Sequence, residues 1–236
     1  MEPLIRVRNL RFRYEDGTLA LDGVNFDLYP GETVALLGPN GSGKTTFVLH
    51  LNGLLRGEGE VTVCGMKVDG RSLEQIRRRV GLLFQDPDEQ LFMPTVLEDV
   101  AFGPLCRGLE PAEAEARAWE ALRQVSMENA ARKAPYHLSA GEKRRAALAA
   151  VLASEPDILV LDEPTTYLDP PGQTELLALL VRLPQAKLIV THDTFFAEAI
   201  ASRAVFFDRG RVVAEGSVAE LRSRFRWVPQ AAPWAQ

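Results

Sequence analysis

The feature that most constrains this chain is a loop of eight residues, GPNGSGKT, at positions 38–45. It fits the pattern G-x-x-x-x-G-K-[ST], with an apolar run over residues 33–37 before it and an apolar helical pattern over residues 44–54 after it. The glycines let successive N–H groups turn inward, and the helix start adds partial positive charge. Lys44 would bring a full charge to the β- and γ-phosphates, and Thr45 a hydroxyl ligand for Mg²⁺. The order strand, loop, helix therefore predicts a nucleotide-phosphate site within an α/β core.

Strand and helix patterns alternate along most of the chain, which predicts an α/β fold with helices on both faces of a mainly parallel sheet. Short strands between residues 59 and 68, set apart by glycines, indicate an antiparallel β patch. Residues 86–137 carry no strand pattern and predict an inserted group of helices. We expect a single domain over residues 1–236, with a core of residues 1–85 and about 155–225, a helical subdomain of about 86–154 and a tail of 226–236.

Local signals place several element boundaries. Ser72 with Gln75 and Ser217 with Glu220 fit the capping-box pattern at helix starts. Thr95 with Glu98 predicts a cap in the helical insert, where Pro111 opens a longer helix. Further helices are expected over residues 142–154, 173–183 and 195–202, and the Arg209-Gly210 pair predicts a hairpin turn.

Composition excludes several functions. The chain is 46% hydrophobic and 25% charged, with a net charge of −5 and no long basic block, so nucleic-acid binding is not expected. Its two cysteines, Cys64 and Cys106, have no metal-ligand spacing and are expected to be reduced thiols. The N-terminal residues lack the pattern of a secretory signal, and the longest apolar run, residues 146–153, is far short of the ~20 residues that span a bilayer. Another chain would have to span the membrane in any membrane process.

A second chemical signal follows the apolar run at residues 158–161. Asp162 stands where a core strand ends, a position from which a carboxylate can serve Mg²⁺ beside the phosphate loop. Glu163 comes next, and a glutamate there can orient or deprotonate an attacking water. Pro164 biases the residue before it away from helix, so we expect Glu163 to be held in an extended conformation.

The segment Leu138-Ser139-Ala140-Gly141-Glu142 resembles the LSGGQ signature of the ATP-binding subunits of ABC transporters, with Ala140 in place of glycine and Glu142 in place of glutamine. The resemblance covers the chain from Tyr14 to about Leu221. Ser139 and Glu142 also fit a capping box, which would turn the Glu142 carboxylate back onto the backbone. A purely structural cap is the alternative. The Ser139 hydroxyl, the Gly141 N–H and the helix dipole would otherwise form an anion site, which in the family grips the γ-phosphate held by the opposite subunit.

Other positions extend the resemblance and imply roles. Gln85 resembles the glutamine that approaches Mg²⁺ and the attacking water, and His192 resembles the switch histidine that contacts the γ-phosphate. Leu168-Asp169 resembles the D-loop, preceded by Tyr167 where a small residue is usual. Tyr14 resembles the aromatic residue that stacks on adenine, although its place on an apolar strand face also fits a core role.

The family pattern implies a P-loop NTPase core of the ABC ATPase type that uses ATP and Mg²⁺. The catalytic residues expected are Glu163, His192, Gln85 and Lys44. The metal ligands expected are Thr45, Gln85 and Asp162. The residues expected to bind ATP are Tyr14, Gly38, Pro39, Asn40, Gly41, Ser42, Gly43, Lys44, Thr45, Thr46, Ser139, Gly141 and Glu142.

Within the family, the segments 49–54, 81–92 and 95–104 resemble the corresponding segments in ATPases of the energy-coupling-factor and cobalt/nickel importers. This implies uptake of a metal ion or vitamin through a separate transmembrane subunit, by an ATPase lying peripherally on the cytoplasmic face of the cell membrane. Its partner would be a second ATPase subunit, identical or paralogous. Two alternatives stay open, a noncatalytic partner subunit and a soluble ABC ATPase, the latter disfavoured by a single domain without heptads.

Overall fold

The computed structural model describes residues 1–227. The predicted tail lies outside the described residues, except for its first two positions. The helices and strands follow in the order β1 (Ile5–Arg13), β2 (Leu19–Leu28), β3 (Thr33–Leu37), α1 (Lys44–Leu51), β4 (Glu58–Val63), β5 (Met66–Lys67), α2 (Leu73–Arg79), β6 (Val80–Leu83), α3 (Val96–Cys106), α4 (Pro111–Gln124), α5 (Ala140–Leu152), β7 (Ile158–Asp162), α6 (Pro170–Arg182), β8 (Ala186–Val190), α7 (Thr194–Ile200), β9 (Arg203–Asp208), β10 (Arg211–Gly216) and α8 (Val218–Arg224).

Two sheets form the frame of residues 1–227. The larger has the strand order β10-β9-β3-β8-β7-β6, with β10 antiparallel to β9 and the other neighbours parallel. The smaller has the order β2-β1-β4-β5 and is antiparallel throughout. Strand β3 lies inside the parallel sheet between β8 and β9, and all five of its residues are buried. The predicted α/β class, with its mainly parallel sheet and antiparallel patch, is confirmed.

Each face of the parallel sheet has its own hydrophobic core, because successive side chains of a strand point in opposite directions. Val34 and Leu36 pack with Phe47 of α1 and with the antiparallel sheet. On the other face, Leu159 and Leu161 pack with helices α3 to α6. The inserted helices therefore share one core with the sheet, and their division into a separate subdomain stays a prediction.

Most predicted caps form, and one does not. Ser217 and Glu220 make a reciprocal capping box at α8, and the Thr95 hydroxyl accepts a hydrogen bond from the Glu98 N–H at α3. The box expected from Ser72 and Gln75 is wrong, because the Ser72 hydroxyl donates to the Lys67 carbonyl and leaves α2 without a side-chain cap.

Two helix boundaries differ from the sequence-based expectation. Helix α1 ends at Leu51 rather than at residue 54, since Gly53 has a φ of 68° and adopts the left-handed conformation that stops a helix. Helix α6 begins at Pro170 rather than at residue 173, since the Asp169 carboxylate accepts the Gly172 N–H at 2.9 Å and caps the first turn.

The longest apolar run, residues 146–153, lies in and just beyond α5 and is buried apart from a half-buried Ala150. No helix in the described part of the chain has the length and apolar character needed to cross a bilayer.

Gly81 allows α5 to approach β6 closely, because a Cβ there would lie 2.3 Å from Val151 Cγ1 and 3.0 Å from Pro156 Cγ. We expect Gly81→Ala to lower the free energy of unfolding by about 1–3 kcal/mol through overpacking, measured by urea denaturation. Gly70→Ala is the matched control, because its Cβ would be no nearer than 3.8 Å to the Arg56 guanidinium. Equal stabilities of the two variants would contradict the close approach.

Candidate functional site

The glycine-rich loop leaves the carboxyl end of β3, in the interior of the parallel sheet. Gly38 has a φ of 134°, and a Cβ there would lie 2.1 Å from the Phe207 carbonyl oxygen of β9. Only glycine fits both the conformation and the space. The neighbouring strand thus sets the point at which the loop turns away from the sheet.

A hairpin turn braces the same loop from the side. Arg209 and Gly210 both have positive φ, and the Gly210 N–H donates to the Ser42 carbonyl at 2.9 Å. On the other side, a Cβ on Gly43 would lie 2.5 Å from the Ala20 carbonyl of β2. The sequence predicted this turn but not its contact with the loop. An Arg-Gly pair indicates that the chain turns, but it does not indicate which segment the turn will contact.

Lys44 lies at the start of α1 with its side chain folded over the loop. Its Nζ donates to the Gly38 carbonyl at 2.7 Å and to the Pro39 carbonyl at 2.9 Å. An ammonium has three protons, so one stays available for a ligand. Burial lowers the pKa of Lys44, while the negative charges of Glu163 and Asp162 oppose that shift. The cation is therefore held against its desolvation cost by two carboxylates.

Asp162 ends β7 and is buried, with only 7% of its surface exposed. Burial raises the pKa of this carboxyl group above its ordinary value, and Glu163 adds to the shift, whereas hydrogen bonding to Thr45 and the charge of Lys44 oppose it. A desolvated carboxylate beside a hydroxyl is a set of hard oxygen donors, the kind that Mg²⁺ prefers. Asp162 and Thr45 therefore fit a magnesium ion.

Glu163 does not have the extended conformation predicted from Pro164. Its φ is 45°, in the left-handed region, where its N–H donates to the Val190 carbonyl at 2.8 Å. This bend turns the carboxylate toward the next strand end, where Glu163 Oε2 lies 2.8 Å from His192 Nδ1. Since an ionised carboxylate only accepts hydrogen bonds, Nδ1 carries the proton of this contact. The backbone strain, of order 1–2 kcal/mol for a non-glycine residue, is stored where the chemistry is expected.

A pocket of about 500 Å³ opens over these residues. It is lined by most of the residues that the sequence predicted to bind ATP and Mg²⁺. Four further lining residues, Thr18, Leu19, Ala20 and Val190, belong to no sequence motif. The predicted residues that line it are Tyr14, Asn40, Gly41, Gly43, Lys44, Thr45, Thr46, Gln85, Asp162, Glu163 and His192.

Three predicted ligand residues lie behind the pocket rather than on its wall. Gly38 and Pro39 present their carbonyls to Lys44, as described above. The Ser42 side chain is 3% exposed, and its hydroxyl has no hydrogen-bond partner among the described residues. These three residues shape the loop and do not line the pocket.

Tyr14 stands at one end of the pocket and is 39% exposed. Its hydroxyl lies 2.9 Å from the Thr46 hydroxyl, and its ring meets Phe12 edge-on at 4.9 Å between centroids. The Tyr14 side chain is thus held at its hydroxyl group and is still partly exposed to solvent. The core role considered from the sequence applies to Phe12 more than to Tyr14.

The signature segment is not part of this pocket. Ser139 and Gly141 line a separate groove of about 420 Å³, together with Tyr167, Leu168 and Asp169. The Ser139 N–H donates to Glu142 Oε2 at 2.8 Å, and the Glu142 N–H donates to Ser139 Oγ at 3.2 Å. This hydrogen bonding lowers the pKa of Glu142, whose carboxylate turns back onto the backbone as the cap required.

Tyr167 is the unusual member of that groove. It has a φ of 66° and is 74% exposed, so a bulky residue occupies a position that favours glycine. The next residues, Leu168 and Asp169, lead into α6. The resemblance had placed a small residue before them, and the structure gives no physical reason for tyrosine here.

Comparison with known proteins identifies the family. A family model described as ABC transporter matches residues 21–166. A putative ABC transporter ATP-binding protein of Streptomyces avermitilis is 54% identical over 220 residues, covering 93% of this chain and 84% of that protein. The energy-coupling factor transporter ATP-binding protein EcfA of Methanocaldococcus jannaschii is 45% identical over 234 residues, covering 97% of this chain and 84% of that protein.

Solved structures agree with this assignment. CbiO1 of Clostridium perfringens, described as part of the ABC transporter complex cbiONQ, has a TM-score of 0.86 and 35% identity, covering 95% of this chain and 92% of that one. The ABC cassette MJ0796, solved as a dimer bound to ADP and Pi, has a TM-score of 0.80 and 31% identity, covering 91% and 98%. The chain therefore belongs to the ABC transporter family, and it is an ATP-binding and ATP-hydrolysing subunit of such a transporter.

Proposed function

We propose that this ATPase powers an importer that takes up a metal ion, such as cobalt or nickel, or a vitamin through a separate transmembrane subunit. The similarity to EcfA and to the cbiONQ component CbiO1 supports this class of transporter. Such an arrangement would place the subunit peripherally on the cytoplasmic face of the cell membrane.

We propose further that two ATPase subunits, identical or paralogous, pair head to tail. The observation that carries this is the separation of the two half-sites: Ser139 and Gly141 line one groove, and Lys44, Thr45 and Asp162 line another pocket. A two-fold axis between subunits would bring each signature onto the nucleotide of the other. The dimeric form of the MJ0796 cassette supports such a pairing.

Within each site, the chain's own groups divide the work. Lys44 would hold the β- and γ-phosphates with the proton that its loop carbonyls leave free. Glu163 would accept a proton at Oε2 from the attacking water, while His192, bonded to the same oxygen through Nδ1, keeps that carboxylate turned toward the pocket. Ser139 and the first-turn N–H groups of α5 would stabilise negative charge on the partner's γ-phosphate.

Asp162, Thr45 and the Gln85 side chain would hold Mg²⁺. When bound, the ion neutralises charge on the phosphate oxygens. The intact contact between Glu163 and His192 disfavours the noncatalytic alternative.

The contact with the transmembrane subunit would lie on the segment after Gln85. Glu89 is exposed, Phe92 is 62% exposed, and Phe92 meets the exposed ring of Phe102 edge-on at 5.0 Å. An exposed aromatic pair beside a carboxylate fits a basic, amphipathic helix of a partner. Asp88, in the same segment, is paired with Lys143 at 2.7 Å within the chain itself.

The shared site predicts that Lys44→Ala and Ser139→Arg complement each other. Each variant alone should be inactive, but in a mixed dimer one site carries both defects and the other neither. Because the mixed dimer keeps one intact site of two, mixing the variants in equal amounts should restore at most about half of the wild-type ATPase activity if the sites act independently.

ATP binding is measured separately, because strictly coupled sites would hold turnover low in the mixed dimer. Ser139→Arg should bind ATP as a monomer with wild-type affinity and fail to dimerise. Loss of monomer binding would place the signature in the subunit's own site and overturn the proposal.

Asp162→Asn should raise the melting temperature of the ATP-free protein while abolishing Mg²⁺-dependent hydrolysis. The wild-type carboxyl has a native pKa above the unfolded value of 3.8, so its charge destabilises the fold at neutral pH. The gain, about 2–4 °C for roughly 1 kcal/mol, should be full above the native pKa and shrink as the pH falls through it.

The control for this experiment is Asp157→Asn, which removes an exposed ion pair with Arg79 and should shift the melting temperature little or downward. A lower melting temperature for Asp162→Asn at pH 8 would mean that Lys44 compensates the buried charge fully.

The partner contact predicts that Glu89→Lys with Phe92→Ser releases the transmembrane subunit. In a detergent pull-down from native membranes, we expect the tagged double variant to lose the transmembrane chains that the wild type retains. The ATPase activity of the purified subunit, measured without its membrane partner, should be unchanged. Glu60→Lys, on the exposed face of β4, is the charge-matched control. Equal retention by the double variant and the wild type would contradict this surface.

A further inference from the structure

Arg144 is the largest fully buried side chain of the described residues, with 1% of its surface exposed. Its Nη1 donates to the Phe84 carbonyl and its Nη2 to the Gln85 carbonyl, both at 2.7 Å. Nη2 also lies 3.5 Å from the Thr166 carbonyl. No carboxylate within residues 1–227 forms an ion pair with it. Arg144 is thus a buried charge whose hydrogen-bond partners within residues 1–227 are all backbone carbonyls.

These contacts join segments that serve different parts of the site. Arg144 lies on α5, in the turn that follows Ser139 and Gly141. Gln85 lines the nucleotide pocket, and Thr166 lies between Glu163 and the D-loop. The preceding residue, Lys143, adds a second link to the Gln85 segment through its ion pair with Asp88.

The choice of arginine is costly, and this bears on its role. Burial lowers the pKa of Arg144 against a weaker opposing effect of Asp86, and within residues 1–227 the Nε atom has no hydrogen-bond partner. An apolar side chain of similar volume would avoid that desolvation, and such replacements are often neutral or stabilising. A guanidinium offers what an apolar group cannot, a planar set of donors that fixes three carbonyls in one geometry.

We infer that Arg144 is a positioning residue that makes the signature turn and the Gln85 segment move together. The inference rests on the shared site proposed above. In a head-to-tail dimer, Ser139 would serve the nucleotide of one site while Gln85 serves the other. Arg144 then links the two sites through one chain, so that closing the signature over the partner's nucleotide also sets Gln85 and the Glu163 loop in the subunit's own site.

The test compares Arg144→Lys with Arg107→Lys, which keep the charge and remove the planar donors. Arg107 is the matched control because its half-buried guanidinium also donates to carbonyls of two separate segments, at Ser154 and Arg77, away from the pocket. Four quantities are measured in full-length protein: the monomer affinity for ATP, the kcat of hydrolysis, its Hill coefficient, and the amide hydrogen exchange of residues 84–88.

For Arg144→Lys we expect ATP affinity within about twofold of the wild type, because no pocket contact is lost. The kcat should fall about tenfold or more, and the Hill coefficient should move toward 1, since two linked sites become independent. Exchange of residues 84–88 should quicken about tenfold as the local fastening is lost. The melting temperature should fall by a comparable amount in Arg107→Lys and in Arg144→Lys. Arg107→Lys should nevertheless keep the kcat and the cooperativity of the wild type.

Two results would overturn the inference. One is unchanged hydrogen exchange at residues 84–88 in Arg144→Lys. That result would mean that Arg144 does not hold this segment. The other is an equal loss of kcat and cooperativity in Arg107→Lys, which assigns the effect to general destabilisation. A wild type that neither dimerises with ATP nor shows cooperativity would instead contradict the shared site, and hydrogen exchange alone would then decide whether Arg144 positions the segment.

Discussion

The site depends on three charged groups that share one buried space at the carboxyl edge of the parallel sheet. Lys44 is desolvated at the start of α1, after the loop that follows β3, and Asp162 and Glu163 are buried where β7 ends. Lys44 and the two carboxylates each offset part of the other's desolvation cost, whereas the two carboxylates repel each other. Because parallel strands end at the same edge, β3 and β7 bring opposite charges together although 118 residues separate Lys44 from Asp162 in sequence. The electrostatics of the pocket therefore follow from strand direction.

Residues beside the motifs maintain this arrangement. Gly38 passes close to Phe207, and Gly210 holds the Ser42 carbonyl, so the last hairpin of the sheet fixes the shape of the phosphate loop. Glu163 reaches His192 only because its backbone leaves the strand in a left-handed conformation. Rigid strands set the positions of the loops, and a few strained or glycine-dependent residues aim the side chains. The fold thus holds the groups of the pocket through contacts of the chain itself.

Patterns of short range predicted much of the fold and the pocket. The buried run of β3 and the caps at Thr95 and Ser217 depend on neighbours in sequence, and the structure confirms them. The failures have a different origin. Ser72 finds the Lys67 carbonyl, and Glu163 bends toward Val190, through contacts that a local rule cannot anticipate. Arg144 was missed for the same reason: its carbonyl partners lie about 60 and 22 residues away, beyond any periodic pattern.

The capping box at α5 shows how one local rule can serve a distant site. Glu142 departs from the family's glutamine, yet its carboxylate is occupied by the Ser139 N–H and by Lys133 at 3.7 Å, which keeps negative charge turned toward its own chain. The Ser139 hydroxyl accepts the Glu142 N–H and still has its own proton to donate. The first turn of α5 can therefore stay attractive to an anion although it carries a glutamate. Glutamate at this position is compatible with phosphate binding, because the same cap that begins the helix reduces the repulsion.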